Sequence, residues 1–221
     1  MYSMDTPPAS PSALPWVGCE HVEPGHPARD EVEHFIGHVY RVRYGARLHS
    51  FLPHLLAFRD DTGRLQAAVG LRTGSEGPLF VEQYLDEPAE RAIAANGRGA
   101  AQRSELVEVG NLAALRGGDA RALIVHLAGT LHASGLRWVL FTATRQLRNA
   151  FDRLHLDTIV LANADRSRVR DDGTDWGRYY DVQPQVLFGD LSAAHAFLQA
   201  PAGKVLQPSA CRDPAALEAL G

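Results

Sequence analysis

Lysine occurs once, at Lys204, cysteine and methionine twice each in 221 residues, and no uncharged apolar stretch approaches 18 residues. A bilayer-crossing helix needs about 20 apolar residues, so no transmembrane segment is expected. The net charge of −4 provides no cationic field to neutralise a phosphate backbone, which excludes nucleic acid as a partner. The scarcity of lysine beside many arginines is what GC-rich coding produces and says nothing about function. Cys19 and Cys211 belong to no CxxC or Cys/His cluster, which argues for a reducing compartment and against a zinc knuckle. His34 and His38 are four residues apart on a helical stripe, but no third ligand follows and there is no HExxH. No metal site is expected. GxSxG, Walker A, GxGxxG and EF-hand patterns are absent too, which removes the usual support for hydrolase, nucleotide triphosphatase and dinucleotide chemistry. The opening MYSMDTPPASPSALPW has an acidic residue, four prolines and no apolar run of signal-peptide length. The expected location is therefore cytoplasmic, free or at the membrane periphery.

The chain has 45% hydrophobic residues, enough for one substantial core. Residues 1–28, rich in Pro, Ser and Gly, read as an extended tail, 29–200 as one domain, and 201–221 as a second tail. Val32, Phe35, Ile36, Val39 and Tyr40 recur at helical spacing. HLLAFRDDTGRLQAAVGLRT reads as a hairpin turning at Asp60-Asp61-Thr62-Gly63, and Pro78 to Asp86 as a third strand. A helix follows over Glu87 to Ala95. LVEVGNLAAL is then a strand, Arg116-Gly117-Gly118 a turn, Asp119 an N-cap, and the helix it opens stops at Gly135. RWVLFTAT is a strand of the kind covered on both faces, and RQLRNAFDRLHLD a helix. Strand, helix, strand in this order implies a parallel crossover. TIVLANAD adds a strand, and WGRYYDVQPQVLFGDL two extended segments interrupted at Pro184. The fold class is α/β (α+β): a three-layer mixed sheet with helices on both faces.

Chemistry concentrates between Leu106 and Asp157. Glu108 and Asn111 are polar residues inside a strand that otherwise reads as core, and an unpaired buried carboxylate costs several kcal/mol. Glu108 is therefore either in an ion pair with an arginine such as Arg72 or Arg145, or functional. Gly110 is a natural site for a β-bulge that would change the alternation between Glu108 and Asn111. Arg116-Gly117-Gly118-Asp119 at a helix start could hold an anion or be an ordinary turn, and Asp119 opposes a phosphate there. Glu82-Gln83-Tyr84, Thr142 with Thr144, and Trp176-Gly177-Arg178-Tyr179-Tyr180 are the remaining polar or amphipathic groupings.

Taken in order, RYGARLHSFLPHLLAF, AAVGLR, PLFVEQYLD, VEVGNLAAL, WVLFTAT, LRNAFDRLHL and WGRYYDVQPQVLFGDL resemble the thermostable hemolysin family of bacteria, from about Tyr40 to Leu191. That family is similar in architecture to GCN5-related N-acyltransferases and, within them, to acyl-homoserine lactone synthases. The resemblance implies that a bulged strand splays from its neighbour to admit an acyl thioester. It also implies a Q/R-x-x-G-x-G/A turn for a donor pyrophosphate; Gly118 and Ala120 fit its last two positions and Leu115 departs at the first. Phe151 stands where a tyrosine that protonates the leaving thiolate is usual. These departures point to a medium- or long-chain acyl donor, carried on coenzyme A or on the phosphopantetheine arm of an acyl carrier protein, with no tightly bound cofactor.

The implied activity is acyl transfer to an amine or similar small nucleophile. Glu108, with Glu82 second, is the expected base, and Tyr179 or Tyr180 the proton donor to sulfur. Val109, Gly110, Asn111, Leu112, Arg116, Gly117, Gly118, Ala120, Thr142, Thr144 and Asn149 are the expected donor-binding residues. The alternative is a lipid-binding or membrane-active protein that makes no bond.

Overall fold

The computed structural model describes residues 16–116, 119–170 and 173–200. A seven-stranded mixed sheet runs in the order β1-β2-β3-β4-β5-β7-β6. Its strands are β1 (Gly18–Val22), β2 (His54–Arg59), β3 (Leu65–Thr73), β4 (Leu106–Ala114), β5 (Trp138–Ala143), β6 (Ile159–Asn163) and β7 (Gln185–Asp190). All neighbours are antiparallel except β4 and β5, which pair in parallel across helix α3 (Asp119–Ala133), as the strand-helix-strand pattern requires. The expected hairpin is β2–β3, closed where Asp60 Oδ1 accepts from the amides of Thr62 and Arg64 at 3.0 Å.

Alternation along the strands assigns the layers. Leu55 and Ala57 pack with Val32, Ile36 and Val39 of α1 (Arg29–Tyr44), while Leu56 and Phe58 pack with Leu123 and Leu127 of α3. The α1 face also carries α2 (Ala89–Ile93). The α3 face carries α4 (Arg145–Arg153) and α5 (Leu191–Gln199), giving the expected three layers. The stripe on α1 falls where the sequence places it, and Gly45 ends that helix in the left-handed conformation at φ 70°.

Three segments differ from expectation. Gly18–Val22, assigned to a tail, is an edge strand on β2 with Cys19 buried, because Cys19 and Val22 reach opposite layers of the core. Pro78 to Asp86 contains no strand. Its β-like composition is overridden by Glu82, whose carboxylate accepts from the amides of Leu79 and Ala89 and bends Phe80–Tyr84 into a 3-10 turn. Of the two extended segments expected around Pro184, the second is β7, which inserts between β5 and β6. The first instead coils so that Trp176, Tyr179 and Tyr180 pack together.

That coil docks on the end of α1. The Arg178 amide donates to the Tyr44 carbonyl at 2.8 Å, and Gly177, at φ 51°, lies so close that a Cβ would stand 2.3 Å from the same oxygen. Replacing Gly177 with alanine combines positive φ with a backbone clash. Urea denaturation of Gly177→Ala should show a loss of at least about 2 kcal/mol, and an unchanged midpoint would contradict this docking.

Candidate active site

Between β4 and β5 the sheet opens. Their parallel pairing covers only Leu106–Val109 with Trp138–Phe141, although β4 runs on to Ala114 and β5 to Ala143. The cause lies in β4. Between Ala68 and Gly70 on β3, the facing stretch of β4 from Ala113 to Gly110 carries one extra residue, a β-bulge. Before it Val107 and Val109 face α3, and after it Leu112 and Ala114 do. The even-odd rule thus breaks at Gly110 and Asn111, where the sequence places the bulge.

The bulge brings Asn111 to the α1 face. Asn111 takes φ 49°, and its Oδ1 accepts from the Leu52 amide at 2.9 Å. Leu52 then crosses both strands so closely that a Cβ on Gly70 or Gly110 would meet it at 3.0 or 2.9 Å. The absence of side chains at these paired glycines permits the approach. Asn111 therefore fixes the 50–53 segment beside the opening.

A cavity of about 630 Å³ occupies the gap and reaches both faces of the sheet. On the α3 face its wall is apolar: Ile124, Leu127, Ala128 and Leu131 from α3, Leu147 and Phe151 from α4, Val139 and Phe141 from β5, and Ala194 from α5. Phe141 and Phe151 stack with centroids 4.7 Å apart, so the residue at 151 is part of an apolar wall, where a phenyl ring fits better than a phenol. On the α1 face the lining is polar and aromatic, with Arg72, Gln83, Glu108, Arg170, Trp176 and Tyr179. Trp176 Nε1 is buried without a partner among the described residues. A volume of this size suits a drug-sized ligand, for which pockets of roughly 300–1,000 Å³ are typical.

Glu108 sits where the lobes join. It is 3% exposed, and its carboxylate accepts from the amides of Phe80 at 2.6 Å and Val81 at 3.1 Å. Neither arginine considered as its partner forms an ion pair with Glu108. Arg72, opposite Glu108 on β3, donates to the Pro78 carbonyl at 3.2 Å, and Arg145 is exposed on α4. Burial pushes the Glu108 carboxyl up to about 7, against the two amides and the Arg72 charge. The group titrates where a general base at neutral pH should.

The same titration affects stability. A carboxyl with a raised folded pKa stabilises the fold below its unfolded value, and that contribution is lost as pH rises through about 7. Between about pH 5 and pH 8 the wild type should lose stability relative to Glu108→Gln by on the order of 3 kcal/mol, measured by chemical denaturation at each pH. Parallel pH dependences would show that Glu108 is not held in this environment.

Glu82 is committed elsewhere. Arg103 donates to both its oxygens, and Leu79 and Ala89 add backbone amides. Burial raises its pKa, but Arg103 and the amides outweigh that and lower it. It is a structural hub, because it shapes the turn that presents Phe80 and Val81 to Glu108. Tyr179 lines the cavity within a cluster with Tyr40, Tyr44 and Trp176, and burial holds its phenol well above the usual range. Tyr180 does not line the cavity, but its hydroxyl lies 2.6 Å from that of Tyr84, which does.

Of the expected donor-binding residues, Val109, Gly110, Asn111, Leu112 and Thr142 line the cavity. Thr144 precedes α4, where its hydroxyl bonds Tyr44, and Arg116 and Asn149 are exposed away from the lining. Ala120 lies in the first turn of α3, also outside the lining, while Gly117 and Gly118 fall outside the described residues. The apolar chamber, Arg170 and Tyr40 were missed by sequence reasoning. One signal was available: α3 is apolar nearly all round, more than one sheet face requires.

Residues 22–195 match the thermostable hemolysin family. No curated protein matches in sequence. Several solved structures share the fold, and three of them illustrate it. The acyl-homoserine lactone synthase LasI aligns with TM-score 0.55 and 12% identity, over 86% of this chain and 98% of that one. FeeM, an N-acyl amino acid synthase from uncultured soil microbes, aligns at 0.54 and 12%, over 80% and 97%. BjaI, a coenzyme A-dependent acyl-homoserine lactone synthase solved with S-adenosylmethionine and isopentyl-coenzyme A, aligns at 0.50 and 13%, over 92% and 99%.

Proposed function

The chain belongs to the thermostable hemolysin family, and we propose that it is an acyltransferase moving a medium- or long-chain acyl group from a thioester to an amine. The observation that carries this reading is the Glu108 carboxylate, buried with a pKa of about 7 where the cavity crosses the sheet between β4 and β5. An apolar chamber alone would serve lipid binding equally well. A buried titrating carboxylate at its neck is costly for a container and useful to a catalyst.

In this reading the acyl chain enters the α3-face chamber, and the thioester carbonyl lies at the neck beside Gly110 to Leu112. The amine nitrogen attacks the carbonyl carbon from the α1 face and forms the C–N bond. Negative charge gathers on the carbonyl oxygen, where strand amides of this stretch stabilise it. Glu108 takes the proton lost by nitrogen, the C–S bond breaks, and the proton passes to the departing thiolate. The products are an amide and a free thiol, and Glu108 returns to its starting state. A phenol that holds its proton as firmly as Tyr179 is a poor acid for a thiolate, so Tyr179 serves as a wall and hydrogen-bond donor.

The donor is acyl-coenzyme A or an acyl carrier protein, which share the pantetheine arm that the gap would receive. Arg72 and Arg170 on the α1-face lining favour an acceptor that carries a negative group beside its amine, with the Trp176 Nε1–H as a further donor. The likeness to BjaI and FeeM supports this choice of donor and acceptor classes. The test is incubation with acyl-coenzyme A or acyl carrier protein and a panel of amines with and without a carboxylate, following thiol release and product mass. An N-acylated amino acid with stoichiometric thiol supports the proposal. Liposome leakage with neither product would overturn it in favour of membrane activity.

A further inference from the structure

Outside the cavity lining, at the β1–β2 edge of the sheet, His21, Glu23 and His54 converge although 33 residues separate the two histidines. In the β1–β2 register His21 faces Leu56. His54 lies two residues before Leu56 and Glu23 two after His21, so all three project from the same side of the sheet. His21 Nε2 is 3.1 Å from His54 Nδ1, Glu23 Oε1 is 3.9 Å from that Nδ1, and all three donor atoms lie within 4.8 Å of one another. Two ligands of a tetrahedral zinc, at bonds of roughly 2.0–2.2 Å, stand about 3.4 Å apart. The cluster needs only small side-chain movements to reach that spacing.

The outer contacts are those a ligating histidine requires. Glu76 Oε1 lies 2.8 Å from His54 Nε2, and Glu76 is itself fixed by the Thr73 amide at 2.7 Å and hydroxyl at 3.0 Å. With Nε2 donating to Glu76, the Nδ1 lone pair is left pointing toward His21 and Glu23. We infer that His21, His54 and Glu23 form a zinc site, with Glu76 orienting His54 and the exposed fourth position left to water. Nitrogen and carboxylate donors of this number suit Zn²⁺. The site would join the β1 edge to two segments that shape the cavity: Ser50 to Leu52, just before His54, and the stretch after Glu76 that leads to Phe80 and Val81. Bound metal should therefore stabilise the fold without touching reacting atoms.

The test uses tag-free, chelator-treated full-length protein titrated calorimetrically with ZnCl₂, with thermal unfolding in parallel. One equivalent should bind and the unfolding midpoint should rise. Glu76→Gln, which leaves all three ligands in place, should weaken binding about 10- to 100-fold, and His54→Ala should abolish it. His34→Ala/His38→Ala should bind as the wild type does. No bound equivalent, or one that survives His54→Ala and disappears with the helix pair, would overturn the site; a circular dichroism spectrum for each variant separates lost ligation from lost folding.

Discussion

Glu108→Gln should fold and should lose acyl transfer by roughly 10²- to 10⁴-fold in kcat, the range associated with removing a general base. The substitution keeps the shape of the side chain and an acceptor oxygen for one of the two amides of Phe80 and Val81. It removes the capacity to take a proton from the attacking nitrogen. The wild-type rate should rise with pH through about 7, because the free carboxylate is the active form and burial sets its pKa there. In the variant that limb should vanish. A rate within a few-fold of wild type, with the same pH limb, would remove Glu108 from the chemistry and leave the proton to water or to the amine itself.

The second large effect concerns the chamber. Ala128 lies on the cavity wall between Ile124 and Leu131 of α3, and a phenyl ring there would occupy space assigned to the distal acyl chain. Ala128→Phe should lower kcat/KM for long-chain donors on the order of 100-fold while changing four-carbon donors by less than about three-fold, since hydrophobic pockets discriminate by steric fit. Selective loss locates the chain beside α3. An equal loss for all lengths would mean that the ring damaged the fold, and no loss would place the chain elsewhere.

Much of this site was legible from local rules. A carboxylate and an amide inside an apolar strand, with a glycine between them, marked Glu108, Gly110 and Asn111, and the bulge followed from the glycine. The parallel crossover through α3 was legible because strand, helix and strand follow each other without interruption. What escaped depends on partners distant in sequence. Phe80–Tyr84 has strand composition, yet Glu82 holds it bent with help from Arg103, 21 residues away. The β1 strand has two inward apolar residues, too few to stand out among prolines and glycines, and is stabilised by pairing with a strand more than 30 residues on. Glu82 ranked second to Glu108 as a base and could not be set aside, because sequence shows neither the arginine that neutralises one nor the burial that raises the other. The chamber had only the excess hydrophobicity of α3 to announce it, since its walls come from five elements, β4, β5, α3, α4 and α5.

The cavity's assignment can be tested with a long-chain thioether of pantetheine bearing a photoreactive diazirine at the chain terminus, irradiated with the protein and mapped by mass spectrometry. Pantetheine is common to both donor classes, so the result does not depend on which carrier is used. Labelling should concentrate on the chamber residues of α3, between Ile124 and Leu131, or of α4 and the segment after it, between Leu147 and Leu156, and be displaced by long-chain acyl thioester. Labels confined to the α1-face lining, or scattered over the exterior and undisplaced, would contradict an acyl-thioester site in the gap between β4 and β5.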